Sequence, residues 1–402
     1  MHITDIETFV VGNPPPGFGG RYFIFVKLTT NNGIEGYGEI YCATFGPDVV
    51  TKMAEDMAAR YFIGSDPFQT ELLFRRVYGS GYSARPDVSV MGVFSGLEMA
   101  CWDLMGKSVD LPAYALLGGK VHEKLRTYTY IYPEAGNVYP TGPDPDHVYV
   151  NAERAAERAL HYIDQGFTAL KFDPAGPFTV MDPGMPTLDE LDRSEAFVRV
   201  LRDAIGNRAD LLFGTHGQFT PAGARRLARR LEPYDPLWLE EPVPPDNVDA
   251  MAKVARSTSI PIATGERLCT KYEFANLLRA GAASIIQMNL GRVGGLLEAK
   301  KIASMAESFH AQIAPHLYCG PIVAAANIQI ATCSPNFLIL ESIENGSGFQ
   351  AELVNYSLEW EAGYALPTDE PGLGISFNEA LARENPYDGT MLHLEMTQSS
   401  ER

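Results

Sequence analysis

Four short apolar runs of this chain end in ionisable residues: TALKFD in Lys171 and Asp173, LLFGTH in His216, LWLEE in Glu240 and Glu241, and PIATGE in Glu266. Three more follow suit, SIIQMN with Asn289, QIAPH with His316 and FLILES with Glu341. If the runs are parallel strands of one sheet, these tips share a rim. Two carboxylates on consecutive tips suit a hard divalent cation with oxygen ligands, Mg2+ above all, which keeps waters and takes further oxygens from a substrate. A lysine and a histidine on opposite sides of such an ion form an acid/base pair, a device for taking a proton from carbon. Glu240 and Glu241 are adjacent, so strand alternation points only one of them at the rim and leaves the other as a loop ion-pair partner.

Each residue taken singly has a plainer reading. Lys171 alone is a surface lysine with its stem on apolar side chains, His316 a satisfied core histidine, Glu341 a buried ion-pair partner, and Asp173 part of a solvated loop. Their concentration on matching tips favours a single site. The long Pro/Gly-rich stretch DPAGPFTVMDPGMP after Phe172 is read as a lid.

The elements that must position these tips follow from the pattern. Residues 3–40 contain three strands, with Asn31-Asn32-Gly33 as the turn between the last two, an antiparallel meander. Helical periodicity runs from about 46 to 110. From 126 onward eight β-rich runs, RTYTYIY and the seven above, alternate with amphipathic stretches such as AGARRLARRLEPY. That rhythm predicts an α/β fold, a parallel (β/α)8 TIM barrel, whose catalytic groups sit at the C-terminal strand ends. The expected division is an α+β capping domain over 1–125, the barrel over 126–355, and a segment 356–402 packing back on the capping domain. No GxGxxG or Walker loop follows a strand, so a nucleotide site has no support.

Composition narrows the partners. The 402 residues are 46% hydrophobic and 20% charged, an ordinary globular balance, and the formal net charge of -18 disfavours nucleic acid and anionic membrane. An anionic substrate would need a locally positive site. Five cysteines without a CxxC pair suit reduced thiols. With no signal-peptide pattern, the expectation is a cytoplasmic protein, assembled as a homo-oligomer, acting on a small molecule.

The chain resembles the enolase superfamily in its mandelate racemase-like subgroup. The likeness runs from EGYGE through SGLEMACWDLMGK, LPAYALLGG, LEPYDPLWLEEP, PIATGERL, IIQMNLGRVGG and IAPHLYCGPI to PGLGI, and several of these stretches look most like galactonate-type sugar-acid dehydratases. The resemblance implies a capping domain over a modified barrel, Mg2+ (Mn2+ is the variant) held by acids at successive strand ends, and abstraction of the proton α to a carboxylate. Carried over by position, Glu240 and Glu266 match two metal acids, Lys171 and His316 the two bases, and Glu341 the residue that hydrogen-bonds a substrate carboxylate. Asp173, Asn289, Arg21 and Tyr82 are further expected substrate contacts, the last two from the capping-domain loops 13–22 and 80–87.

Two positions depart from the pattern. Glu240 and Glu266 are 26 residues apart, and the same step back reaches Gly214, where the family has its first metal aspartate. His216, two residues on, faces the same way if the strand continues, and competes for two roles: third metal ligand, to which charge inclines the reading, or general acid for a departing hydroxyl. Asn289 stands where an aspartate normally pairs with the seventh-strand histidine, which makes His316 a weaker base, better suited to donating a proton. The expected reaction is dehydration of a galactonate-like aldonate to a 2-keto-3-deoxy acid. Alternatives are cycloisomerisation of an anhydro sugar acid, epimerisation, or a degenerate sugar-acid binder without turnover.

Overall fold

The computed structural model describes residues 1–134, 146–174, 183–354 and 359–394. Part of the stretch read as a lid, 175–182, lies outside the described residues. The chain opens with β1 (Ile3–Gly12), β2 (Tyr22–Thr30) and β3 (Glu35–Ile40), an antiparallel meander in the order β1-β2-β3. Four helices follow: α1 (Pro47–Met57), α2 (Thr70–Tyr78), α3 (Val88–Val109) and α4 (Ala113–Leu116). Asp87 caps α3 by accepting the N–H groups of Ser89 and Val90. By length and composition α3 could cross a membrane, yet 83% of its most apolar window is buried inside the fold. It is a core helix. The glycines of EGYGE let the meander lie directly on it, since a Cβ at Gly38 would stand 1.9 Å from the carbonyl oxygen of Gly96.

The barrel alternates as the sequence predicts: β4 (Leu125–Tyr130), α5 (Ala152–Asp164), β5 (Ala169–Phe172), α6 (Leu188–Ile205), β6 (Asp210–Gly214), α7 (Pro221–Leu231), β7 (Trp238–Glu240) and α8 (Val248–Ala255). It continues with β8 (Ile262–Thr264), α9 (Thr270–Arg279), β9 (Ile285–Ile286), α10 (Gly295–Ser308), β10 (Gln312–Ile313), α11 (Pro321–Thr332), β11 (Leu340–Ser342) and α12 (Phe349–Leu353). Neighbouring strands from β4 to β10 pair in parallel, and β11 returns to pair with β4, Glu341 opposite Tyr128. A parallel bridge between Ile313 and Phe337 closes the remaining side. A hairpin of β12 (Glu359–Glu361) and β13 (Tyr364–Leu366) then adds antiparallel to β4, and α13 (Glu379–Glu384) lies on the meander, where Glu379 and Glu7 share Lys27.

One side chain from each strand or its immediate flank fills the lumen: Tyr128, Ala169, Leu212, Trp238, Ala263, Ile285, Ala314 and Ile339. Tyr128 and Trp238 meet edge to face at 5.3 Å and supply most of the bulk, with alanines making room on other strands. Two buried glutamates of the meander and α3 hold that unit to the barrel. Glu98 accepts the N–H groups of Leu296 and Leu297 at the start of α10, and Glu39 those of Ile322 and Val323 at the start of α11, where the helix dipole favours a carboxylate. The unit is thereby seated over the C-terminal rim of the barrel.

Candidate active site

Alternation brings the second residue beyond each lumen side chain to the same face, one layer higher. The lumen set therefore yields Tyr130, Lys171, Gly214, Glu240, Gln287, His316 and Glu341. On the strand after Ala263 the rule gives Gly265, whose φ of 138° turns the chain and lets Glu266 take the place. Tyr130, Lys171, His316, Glu341, His216 and Glu266 line a cavity of about 250 Å3, walled further by Tyr41, Tyr132, Tyr149, Tyr318 and Leu394.

Lys171 is buried, with Nζ 2.6 Å from Glu240 Oε1 and 3.3 Å from Glu341 Oε1. Burial works against its charge, but the two carboxylates more than offset that and hold its pKa well above the ordinary lysine value. In this arrangement the lysine is an ammonium that supplies positive charge. Glu240 is fixed from below, its Oε2 accepting from Trp238 Nε1 at 3.0 Å and Gln287 Nε2 at 2.8 Å. The lumen tryptophan thus sets the orientation of the carboxylate. Glu241 faces away and pairs with Arg267 at 2.6 Å.

His316 sits across Glu341 from Lys171, with Nε2 2.9 Å from Glu266 Oε2 and 3.9 Å from Glu341 Oε2. Burial lowers the pKa of its ring, Glu266 and Glu341 outweigh that, and the net shift is upward; Glu266 is held well below the usual carboxylate range, its own burial outweighed by His316. Asn289 is not at the cavity surface, so its expected substrate contact is corrected to a supporting one. Its Oδ1 accepts the Gly291 N–H at 2.8 Å, which turns Nδ2 toward His316 Nδ1, also at 2.8 Å. An amide donor there makes Nδ1 an acceptor and leaves the ring proton on Nε2, facing Glu266. Asn289→Asp should reverse this preference. The carboxylate would raise the imidazole pKa by about one unit or more, so the alkaline-going limb of any α-proton exchange should move to higher pH; an unmoved limb would contradict the contact's role.

His216 adopts a left-handed φ of 48°, so β6 ends at Gly214 and strand alternation does not reach the histidine. The ring nonetheless arrives beside position 214. A Cβ built at Gly214 would lie 3.1 Å from Lys171 Cε and 3.6 Å from His216 Cε1, so these two side chains close the space an acid would need. His216 Nδ1 lies 3.3 Å from Asp173 Oδ2, which also accepts from Gln218 Nε2. Burial disfavours the charged ring, Asp173 outweighs it, and the pKa rises to about 9. An imidazolium has no lone pair to give a metal, so with Asp173 beside the ring this arrangement favours the second of the two roles, proton donor, with Asp173 as the partner that holds the ring.

The two loop expectations also change. Tyr82 is fully exposed on a turn, and Arg21 donates from Nη1 to the Leu392 carbonyl at 3.2 Å; neither lines the cavity. The tyrosine walls were missed. Two of them were readable, because RTYTYIY repeats tyrosine at the period of a strand and Tyr318 stands two residues beyond His316; Tyr41 and Tyr149 carry no such signal.

A divalent ion would find hard oxygen donors in Glu266, which lines the cavity, and in Glu240 on the neighbouring strand tip, which does not line it and would have to release the Lys171 ammonium from Oε1. That set suits Mg2+, which accepts one or two carboxylates when water and substrate complete its shell. Gly214 adds no donor, and among the described residues no group of three or more His, Cys, Asp or Glu side chains is arranged around one point. The fit therefore rests on two carboxylates.

Comparison with known proteins agrees in extent and kind. Residues 154–381 match the enolase C-terminal domain-like family, and residues 17–118 the mandelate racemase/muconate lactonizing enzyme N-terminal domain. A protein of Haloferax volcanii named D-xylonate dehydratase is 32% identical over 97% of this chain and 90% of its own, and a D-galactonate dehydratase of Ralstonia pickettii is 32% identical over 96% and 94%. A crystal structure from Labrenzia alexandrii DFL-11, provisionally assigned as a mandelate racemase/muconate lactonizing enzyme, superposes with a TM-score of 0.95 at 65% identity, over 99% of this chain and all of that one.

Proposed function

Because the chain belongs to the mandelate racemase/muconate lactonizing enzyme family of the enolase superfamily, and is thus an enzyme of the hydro-lyase or isomerase kind, we propose that it dehydrates a sugar acid. The substrate would be a galactonate-like aldonate and the product a 2-keto-3-deoxy acid. The names of its dehydratase relatives support the substrate class. The observation that carries the reaction type is the Asp173-supported His216: racemising or epimerising a carbon needs only the groups flanking it, whereas expelling hydroxide needs a further proton donor.

In this reading the substrate carboxylate lies near Lys171, whose ammonium offsets the charge that builds on the enediolate as the α-proton leaves. His316 takes that proton. To do so it works as the Nδ1–H tautomer, reached only when the Asn289 amide turns and its oxygen leaves the Gly291 N–H for the ring; the resting pattern is the other tautomer. His216 then protonates the departing β-hydroxyl. Glu341, whose Oε2 accepts the Leu317 N–H at 2.7 Å, keeps Lys171 and His316 apart at fixed spacing. Glu240 and Glu266 would hold Mg2+, with Mn2+ as a substitute, and such an ion when bound adds positive charge that stabilises an enediolate.

Glu266→Gln should weaken Mg2+ binding about tenfold or more by calorimetry; unchanged affinity would remove it from the ligand set. The function itself is tested by screening four- to six-carbon aldonates for 2-keto acid formation. Turnover of one of them supports the reading, and inertness of the folded protein toward all of them ends it.

A further inference from the structure

We infer that the C-terminal segment up to Leu394 is a built wall of the substrate pocket, and that Leu394 sets the size of the molecule the pocket takes. After α13 the chain runs along the outer strand of the meander. Gly12 N–H donates to the Asn385 carbonyl at 2.8 Å, Pro386 bridges Val11, and Tyr387 N–H donates to the Val10 carbonyl at 3.1 Å. The Tyr387 ring packs on Tyr22 at 4.5 Å, and its hydroxyl donates to the Met391 carbonyl at 2.7 Å, folding the segment back toward the barrel. Arg21 then secures the Leu392 carbonyl.

His393 is the anchor. It is 4% exposed and edge-on to Tyr22 at 5.7 Å and tilted across Tyr41 at 5.1 Å. Gly20, at φ 120°, makes the seat, because a Cβ there would stand 2.0 Å from His393 Nε2. Burial drops this imidazole's pKa to about 3, so it is a neutral packing group. The next residue, Leu394, lines the same cavity as Lys171, His216 and His316, and Tyr41, braced by His393, lines it too. A leucine brings no chemistry to that position, only volume. The anchored backbone on one side and the catalytic groups on the other make Leu394 a limit on size.

The wall is inferred from geometry; only the name of what it selects rests on the dehydratase reading. Two variants test it, Leu394→Trp, which thickens the wall, and Gly20→Ala, which unseats His393. Hydroxyl-radical labelling of Tyr130 and Tyr318, two tyrosines of the same cavity, mapped by mass spectrometry, reads access without any substrate: it should be slower in the first variant and faster in the second. With aldonates, Leu394→Trp should lower kcat/KM for six-carbon relative to four-carbon acids about tenfold, through KM. Equal labelling rates in wild type and both variants would overturn the wall, and an unchanged six- to four-carbon ratio would overturn the size limit. If the wild type converts no aldonate while labelling still follows the wall, the dehydratase reading fails and the wall stands.

Discussion

Lys171→Met should lose α-proton exchange and product formation by at least about 100-fold, the effect of removing a charged group that stabilises a developing anion. It should also destabilise the fold. The ammonium lies between the buried carboxylates of Glu240 and Glu341, and deleting one member of a buried charged set strands the others, which costs about 3–5 kcal/mol. The denaturation midpoint should fall accordingly, less so at low pH, where protonation relieves the stranded carboxylates. Lys171→Arg keeps the charge in a bulkier shape and guards against a merely unfolded variant. Arginine should hold more of the stability than methionine while still losing activity, since its planar fork cannot reproduce a point charge in that space. Near-normal turnover in folded Lys171→Met would show that the floor cation plays no part in the reaction.

His216→Ala should separate the two halves of the reaction. Elimination should drop about 10²–10⁴-fold, the usual worth of a positioned acid, while exchange of the α-proton with solvent continues. The wild type should show the same division in its pH dependence. His216 acts while protonated, and its pKa is raised to about 9, so elimination should be sustained below that value and decline as pH rises through it, with exchange declining less. Asp173→Asn should bring the decline to lower pH, because Asp173 is what holds the proton on the ring. If the alanine variant instead loses metal affinity and exchange together, His216 is a ligand after all.

The fold was largely legible in the sequence because its signals are local and repetitive. Each barrel strand is short and apolar on both faces, as a parallel strand covered by helices must be, and the polar tips sit at the same place in each repeat. The rim followed from that repetition. Less legible was whatever depends on the chain leaving its strand. The φ of 48° at His216 and the turn at Gly265 both break the alternation from which side-chain direction was read, so His216 reaches the space beside Gly214 by a different route and meets Asp173. Charge state was also hidden. The two carboxylates that hold the Lys171 ammonium come from strands distant in sequence and show only in the fold. Loop and tail contributions were the hardest, since Arg21 and Leu394 are brought to their positions by contacts with no period at all.

The proposed reaction removes the proton α to a carboxylate and then expels the β-hydroxyl. The direct test is to incubate the wild-type protein, with Mg2+ supplied, with aldonates of four to six carbons in D2O and to follow the C2 proton by NMR. For at least one acid the C2 signal should disappear and a 2-keto-3-deoxy product appear, with the His216→Ala protein giving the first change but not the second. A C2 proton that stays in place throughout the series, in a protein shown to be folded and to bind the ion, would contradict it.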